Sequence, residues 1–180
     1  MTQSNYPASA MSADEVELDF SDPSGDAYDA LSRDRVPVRS MKDGDLPAII
    51  EIDKAITGED RSAYLEHHVQ EALALSGIRV SLVAEQESGK PVGFMMARVD
   101  FGEFGRAEPE AVIDTLGVDP LYAHHGVGTA LMSQLLANLK TLRVERVRTG
   151  VRWNDYALLR FLENCGFKPS QRLALRKRLD

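Results

Sequence analysis

Between Leu116 and Lys140 the chain reads LGVDPLYAHHGVGTALMSQLLANLK, a strand end, a glycine loop and a long helix in unbroken succession. The helix is dictated by its apolar spacing. Val127, Leu131, Leu135, Leu139 and Leu142 recur at near-helical intervals, and Ala130, Met132 and Leu136 widen the stripe. With a strand leading straight into it, this helix sets an α/β frame for the chain. Gly126 and Gly128 let a ligand approach the backbone closely, and the helix behind them presents unpaired N–H groups and the positive end of its dipole. The segment reads as a site for a pyrophosphate.

Glycines before a helix also arise from tight turns and close packing, so the flanks decide. A Walker loop requires Gly-Lys-Ser/Thr at the helix start, where this chain has Gly128, Thr129 and Ala130. A dinucleotide fold requires three glycines and an acidic residue about 20 positions on. Neither pattern is met.

The 180 residues, 43% of them hydrophobic and 27% charged, are enough for one domain with a sizeable core. A polar start and the lack of any apolar run near about 18 residues predict a soluble, cytoplasmic protein that does not enter a membrane. Cys165 is the single cysteine, which excludes an internal disulfide, and the four histidines fall as the pairs His67-His68 and His124-His125, a spacing unlike common zinc sites. No structural metal is expected.

Charge marks a boundary at Arg35. Residues 1–34 are rich in Ser, Asp, Pro and Gly and hold eight acids against Arg33 alone, a net of −7 that equals the charge of the whole chain. They are expected to form an acidic disordered tail, with residues 35–180 as a single domain. Residues 140–180 carry 11 bases and 4 acids, so the tail is expected to dock weakly over them in a contact that salt screens. Overall acidity and the lack of an aromatic-and-basic motif speak against nucleic acid as a partner.

Along the domain, RVPVRSM alternates like an edge strand that tolerates Pro37, and a helix follows with Asp45 as its cap and Ile49, Ile50, Ile52 and Ile56 as its apolar surface, ending at Gly58. A second helix is predicted from about Arg61 to Leu75, closed by Gly77. VSLVAEQ and PVGFMMARVD, joined by Glu87-Ser88-Gly89-Lys90, form a hairpin. The loop from Phe101 to Glu108 is either part of a substrate surface or an ordinary connection. EAVIDTLGV then feeds the glycine loop, VERVRTGVRW follows the long helix, DYALLRFLEN is a short helix stopping at Gly166, and QRLALRKRL is a final strand whose exposed edge offers a route to a homodimer. Arg146, Arg148 and Arg152 share one face of the fifth strand, as a solvated face or as an attraction for phosphates.

The Leu-x-Val-x-Pro strand end, the Gly-x-Gly loop and the leucine-rich helix resemble the acetyl-coenzyme A motif of the GCN5-related N-acetyltransferases (GNAT), and FLENCGF resembles that family's Leu-Tyr-Glu-x-x-Gly-Phe signature. The resemblance covers about residues 35–178. It implies a mixed, splayed central sheet flanked by helices on both faces, and direct transfer of acetyl from acetyl-CoA to an amine of a small molecule or protein. By position, Leu116, Gly117 and Val118 would face pantetheine, while His124, His125, Gly126, Val127, Gly128 and Thr129 would wrap the phosphates. Asn154 would either bond the pantetheine or cap the short helix together with Asp155.

Two departures qualify that likeness. Ala123 stands where the family usually has Arg or Gln, and Leu162 stands where many members place the tyrosine that protonates the leaving thiolate. These gaps keep a second function class open, a non-catalytic acyl-CoA-binding regulatory module. An enzyme would still need to deprotonate its amine. Some members carry a glutamate at the position of Val112, and simple alternation puts Val112, Asp114 and Leu116 on one face, so Asp114 is the candidate base. Water, Tyr156 or Tyr122 would then protonate the thiolate, or it would leave unprotonated.

Overall fold

The computed structural model describes residues 35–74, 80–100, 109–171 and 177–179, with the side chains of 71–74 excepted. Among them, five strands form one sheet in sequential order: β1 (Val38–Ser40), β2 (Leu82–Glu85), β3 (Pro91–Asp100), β4 (Glu110–Val118) and β5 (Arg146–Thr149). Neighbours are antiparallel except β4 and β5, which run parallel. That parallel pair needs a crossover. The long helix supplies it.

Among the described residues, four helices cover the sheet: α1 (Leu46–Thr57), α2 (Ser62–Ala74), α3 (Val127–Thr141) and α4 (Tyr156–Asn164). On one face Ile49 and Ile52 of α1 and Leu65 and Val69 of α2 bury Val83, Phe94 and Met96. On the other, Leu131, Leu135 and Leu139 of α3 and Leu162 of α4 bury Leu82, Met95, Ala97, Ala111 and Ile113. The sheet is mixed and flanked by helices on both faces. The β2–β3 hairpin, the glycine stop of α1 at Gly58 and that of α4 at Gly166 stand where the sequence predicts them.

Asp45 differs from its expected role. It lies in a 3-10 turn (Asp43–Asp45) with helical backbone angles and makes no side-chain bond to the first turn of α1. Its carboxylate turns back instead, accepting two hydrogen bonds from Arg39, at 2.7 and 2.8 Å, and one from the Lys42 N–H at 2.8 Å. Two charge-assisted bonds from a planar guanidinium outweigh one neutral cap. Burial works to raise the Asp45 pKa, but Arg39 and Lys42 hold it below the usual carboxylate value.

The tail (1–34), the Gly77 helix stop, the loop from Phe101 to Glu108 and most of the final strand (172–176) lie outside the described residues. Among the described residues, no helix is long and apolar enough to cross a membrane, and no cluster of three or more potential metal ligands occurs.

Candidate active site

The site is created where β5 stops short. Its pairing with β4 runs from Glu110↔Arg146 to Ile113↔Thr149, and the Thr149 hydroxyl closes it by donating to the Ile113 carbonyl at 3.0 Å. Beyond that point β4 continues to Val118, paired among the described residues with β3 alone. The two strands part, leaving one edge of Asp114–Val118 facing a gap.

Antiparallel alternation decides which groups face it. Asp119 N–H donates to Val92 O at 2.9 Å, so Asp119 and Val92 form a hydrogen-bonded pair. By the alternation of such ladders, Gly117 also turns its backbone toward β3, whereas Leu116 and Val118 direct N–H and C=O into the gap. Gly117 has a packing role as well. A Cβ there would lie 2.7 Å from Phe94 Cε1 and 3.0 Å from Ile56 Cδ1, so the missing side chain lets α1 sit against β4.

At the end of this edge, the 3-10 turn Pro120–Tyr122 leads into the glycine loop. His124 and Gly126 both take left-handed backbone angles, with φ of 63° and 81°. Gly126 is the N-cap of α3, and it has no side chain with which to accept from the first turn. Its carbonyl receives the Ala130 N–H at 2.9 Å, while the N–H groups of Val127, Gly128 and Thr129 point out of the helix end without an intrahelical partner. Alternating left-handed residues and uncapped amides form a concavity suited to an anion. The His125 ring bends back on its own loop, Nδ1 lying 2.8 Å from the Ala123 carbonyl, which assigns the proton to Nδ1 and leaves Nε2 outward. Gly128 admits Phe161 of α4, whose ring carbons would come within 3.3 and 3.4 Å of a Cβ there.

Asp114 marks the apex of the gap, and the local geometry differs from simple alternation. Met96 pairs with Thr115 and Ala97 with Ile113, so Asp114 is the extra residue of a β-bulge. The bulge switches parity. Ala111 and Ile113 pack on the α3 side, and so do Leu116 and Val118 after it, while Asp114 turns to the opposite face and pairs with Arg98. Val112, Asp114 and Leu116 therefore do not share a face. Thr115 lies beside Asp114, with its hydroxyl 3.5 Å from that of Tyr64 on α2.

The remaining candidates separate cleanly. The cap of α4 is Asp155, which accepts from Leu158 N–H at 3.1 Å; Asn154 is exposed and takes no part in the cap. Leu162 is buried in the main core and carries no proton to give. Tyr122 packs against that core with its hydroxyl accepting from Gln86, whereas Tyr156 is exposed at the start of α4. Cys165 is half-buried beside the core at the end of α4. Arg148 is committed to Asp100 and Glu110, and Arg152 falls past the end of β5, so no three-arginine face forms on that strand. Sequence reasoning missed Arg98. The available signal was Arg98-x-Asp100, two residues apart and therefore on one face of β3.

A mycothiol acetyltransferase from Propionibacterium freudenreichii subsp. shermanii is 27% identical over 156 residues, covering 81% of this chain, which in turn spans only 47% of that protein. In fold, the chain resembles the aminoglycoside N-acetyltransferase AAC(6')-Iy in complex with CoA, with a TM-score of 0.66 at 15% identity, over 79% of this chain and 94% of that one. It also resembles the ribosomal-protein-S18-alanine N-acetyltransferase from Escherichia coli, with a TM-score of 0.62 at 24% identity, over 76% and 79% of the two chains. Residues 46–167, which run from α1 through the glycine loop to the end of α4, match the acetyltransferase (GNAT) family, and the chain belongs to it.

Proposed function

We propose that this protein is an N-acetyltransferase that moves acetyl from acetyl-CoA directly to a primary amine. The observation that carries the reading is the continuity of the Leu116–Val118 edge with the uncapped start of α3, because one short segment thereby offers amide partners to a pantetheine arm and an anion site to a pyrophosphate. Acetyl-CoA supplies the activated thioester. With the phosphates at His124–Thr129, the reacting end lies back along β4, and at about 3.3 Å per residue Asp114 is roughly 13 Å from Val118. The thioester end then reaches the apex, beside Asp114.

A free alkylamine is mostly protonated at neutral pH, so attack requires removal of a proton. Asp114 is the carboxylate at the apex, and we assign it that proton, directly or through one water. As the C–N bond forms and the C–S bond breaks, the nitrogen sheds its second proton to water and the sulfur leaves as a thiolate. A thiol pKa of about 8.5 makes this a tolerable leaving group without an acid at Leu162. Leu116, Val118 and the loop residues hold the co-substrate; Asn154, exposed past β5, is a further contact on the pantetheine side.

The names of the two similar structures give different acceptors, so the panel pairs an aminoglycoside with an alanyl peptide and adds small primary amines. Thiol release with any of these supports an enzyme. Tight acetyl-CoA binding with no release across a broad amine panel favours the regulatory module, a reading to which buried Leu162 lends weight. Cofactor binding itself is tested by Gly126→Glu, which adds a side chain and a negative charge at the phosphate position. Calorimetry should show acetyl-CoA affinity lost by at least about tenfold in a folded protein. Unchanged affinity contradicts the phosphate assignment.

A further inference from the structure

The Asp114 carboxylate is one end of a chain of five charged side chains that crosses three strands. Arg98 on β3 donates through Nη1 to Asp114 Oδ1 and through Nε to Asp100 Oδ1 at 3.2 Å. Asp100 Oδ2 accepts from Arg148 of β5 at 3.3 Å, and Arg148 Nε donates to Glu110 Oε2, back on β4, at 3.1 Å. The chain spans the stretch over which β4 and β5 pair and ends on the first residue beyond it.

Asp114 depends on that chain for its direction. As the bulged residue it has no cross-strand partner in the β3–β4 ladder, and its carboxylate accepts a hydrogen bond from Arg98. A guanidinium holding two carboxylates through Nε and Nη1 is a rigid planar fork, unlike a lysine ammonium. It occupies Oδ1 and leaves Oδ2 to accept a proton. The Arg98 pKa is raised, first by its hydrogen bond to Asp114, with burial opposing, so the fork is permanently charged.

We infer that Arg98 is a positioning residue for acetyl transfer, aiming the free oxygen of Asp114 at the apex of the β4–β5 gap. This rests on Asp114 serving as the base, and the two ideas fail differently. Partly exposed ion pairs contribute little to stability, so a purely structural Arg98 would leave kinetics and melting nearly unchanged when removed. A positioning Arg98 acts on kcat.

The test is a double-mutant cycle on the full chain, with acetyl-CoA and the best amine of the panel above. Asp114→Asn and Arg98→Ala should each lower kcat about tenfold, with KM for acetyl-CoA within about twofold of the parent. In the Asp114→Asn background, Arg98→Ala should cost nothing further. Arg98→Lys, which keeps the charge without the fork, should recover only part of the loss. If Arg98→Ala does not fold, Arg98→Gln replaces it in the cycle. Loss with Asp114→Asn but full turnover without Arg98, or losses that multiply, overturns the positioning role and leaves the base standing. Full turnover in Asp114→Asn overturns the base, and the role of Arg98 with it.

Discussion

Gly117→Ala adds one methyl group at the junction of the cofactor edge and α1. Its Cβ would meet Phe94 Cε1 at 2.7 Å and both Phe94 Cζ and Ile56 Cδ1 at 3.0 Å. Ile56 is 48% exposed and can swing aside, but Phe94 is wholly buried among Ile49, Ile52 and Leu65 and has nowhere to go. Either α1 lifts or β4 shifts. Overpacking of this kind costs about 1–3 kcal/mol. A cost of about 2 kcal/mol lowers the Tm of a domain this size by about 4–8 °C. The added methyl points to the α1 face, whereas α3 begins on the other, so a folded variant should keep the thermal stabilisation that CoA confers on the parent. Melting curves with and without CoA read both quantities. A Tm within about 1 °C of the parent refutes the packing of Phe94 and Ile56 on β4. An unchanged Tm with the CoA effect abolished would assign the space above Gly117 to the ligand instead.

Arg143 closes α3 in a left-handed conformation, with φ of 58° and the Val144 N–H returned to Leu139 O at 3.0 Å, so Arg143→Gly should raise stability by about 0.5–1 kcal/mol in urea melts. A lower urea midpoint would show that the arginine side chain matters more than the backbone strain. Asp45→Asn should cost about 2 kcal/mol at pH 7 by removing the charged partner of Arg39. Because the folded pKa of Asp45 lies below its unfolded value of about 3.9, that stability is present above about pH 4 and is lost as pH falls through the folded value. The deficit of the variant should therefore persist at pH 5 and shrink as the pH falls below about 4; a deficit that grows in acid contradicts the ion pair.

Much of the fold was legible because it rests on periodicity. The Val127–Leu139 stripe, the β2–β3 hairpin and the full extent of β4 follow from side-chain spacing, and the stripe buries the face that the spacing indicates. The family likeness was legible for the same local reason, since the Gly126 loop and the α3 start are contiguous in sequence. What escaped is decided between segments. A bulge at Asp114 comes from how β3 and β4 pair, and no property of EAVIDTLGV announces which residue will be extra. Asp45 resembles a helix cap until Arg39, six residues earlier and on another element, competes for it. Asn154 and Asp155 are both good capping residues, and only the backbone path after β5 selects Asp155. The ion-pair chain through Arg98 joins residues 98, 100, 110, 114 and 148, whose proximity exists only once three strands align.

The proposed function puts CoA along the parted edge of β4 and against the start of α3. A titration of isotope-labelled protein with CoA, followed by backbone amide NMR, tests it residue by residue. The amides of Leu116, Val118 and Gly126–Thr129 should shift together and saturate with one affinity, while those of α2 stay near their starting positions. Shifts confined to other surfaces, or none at millimolar CoA, would contradict binding at this edge.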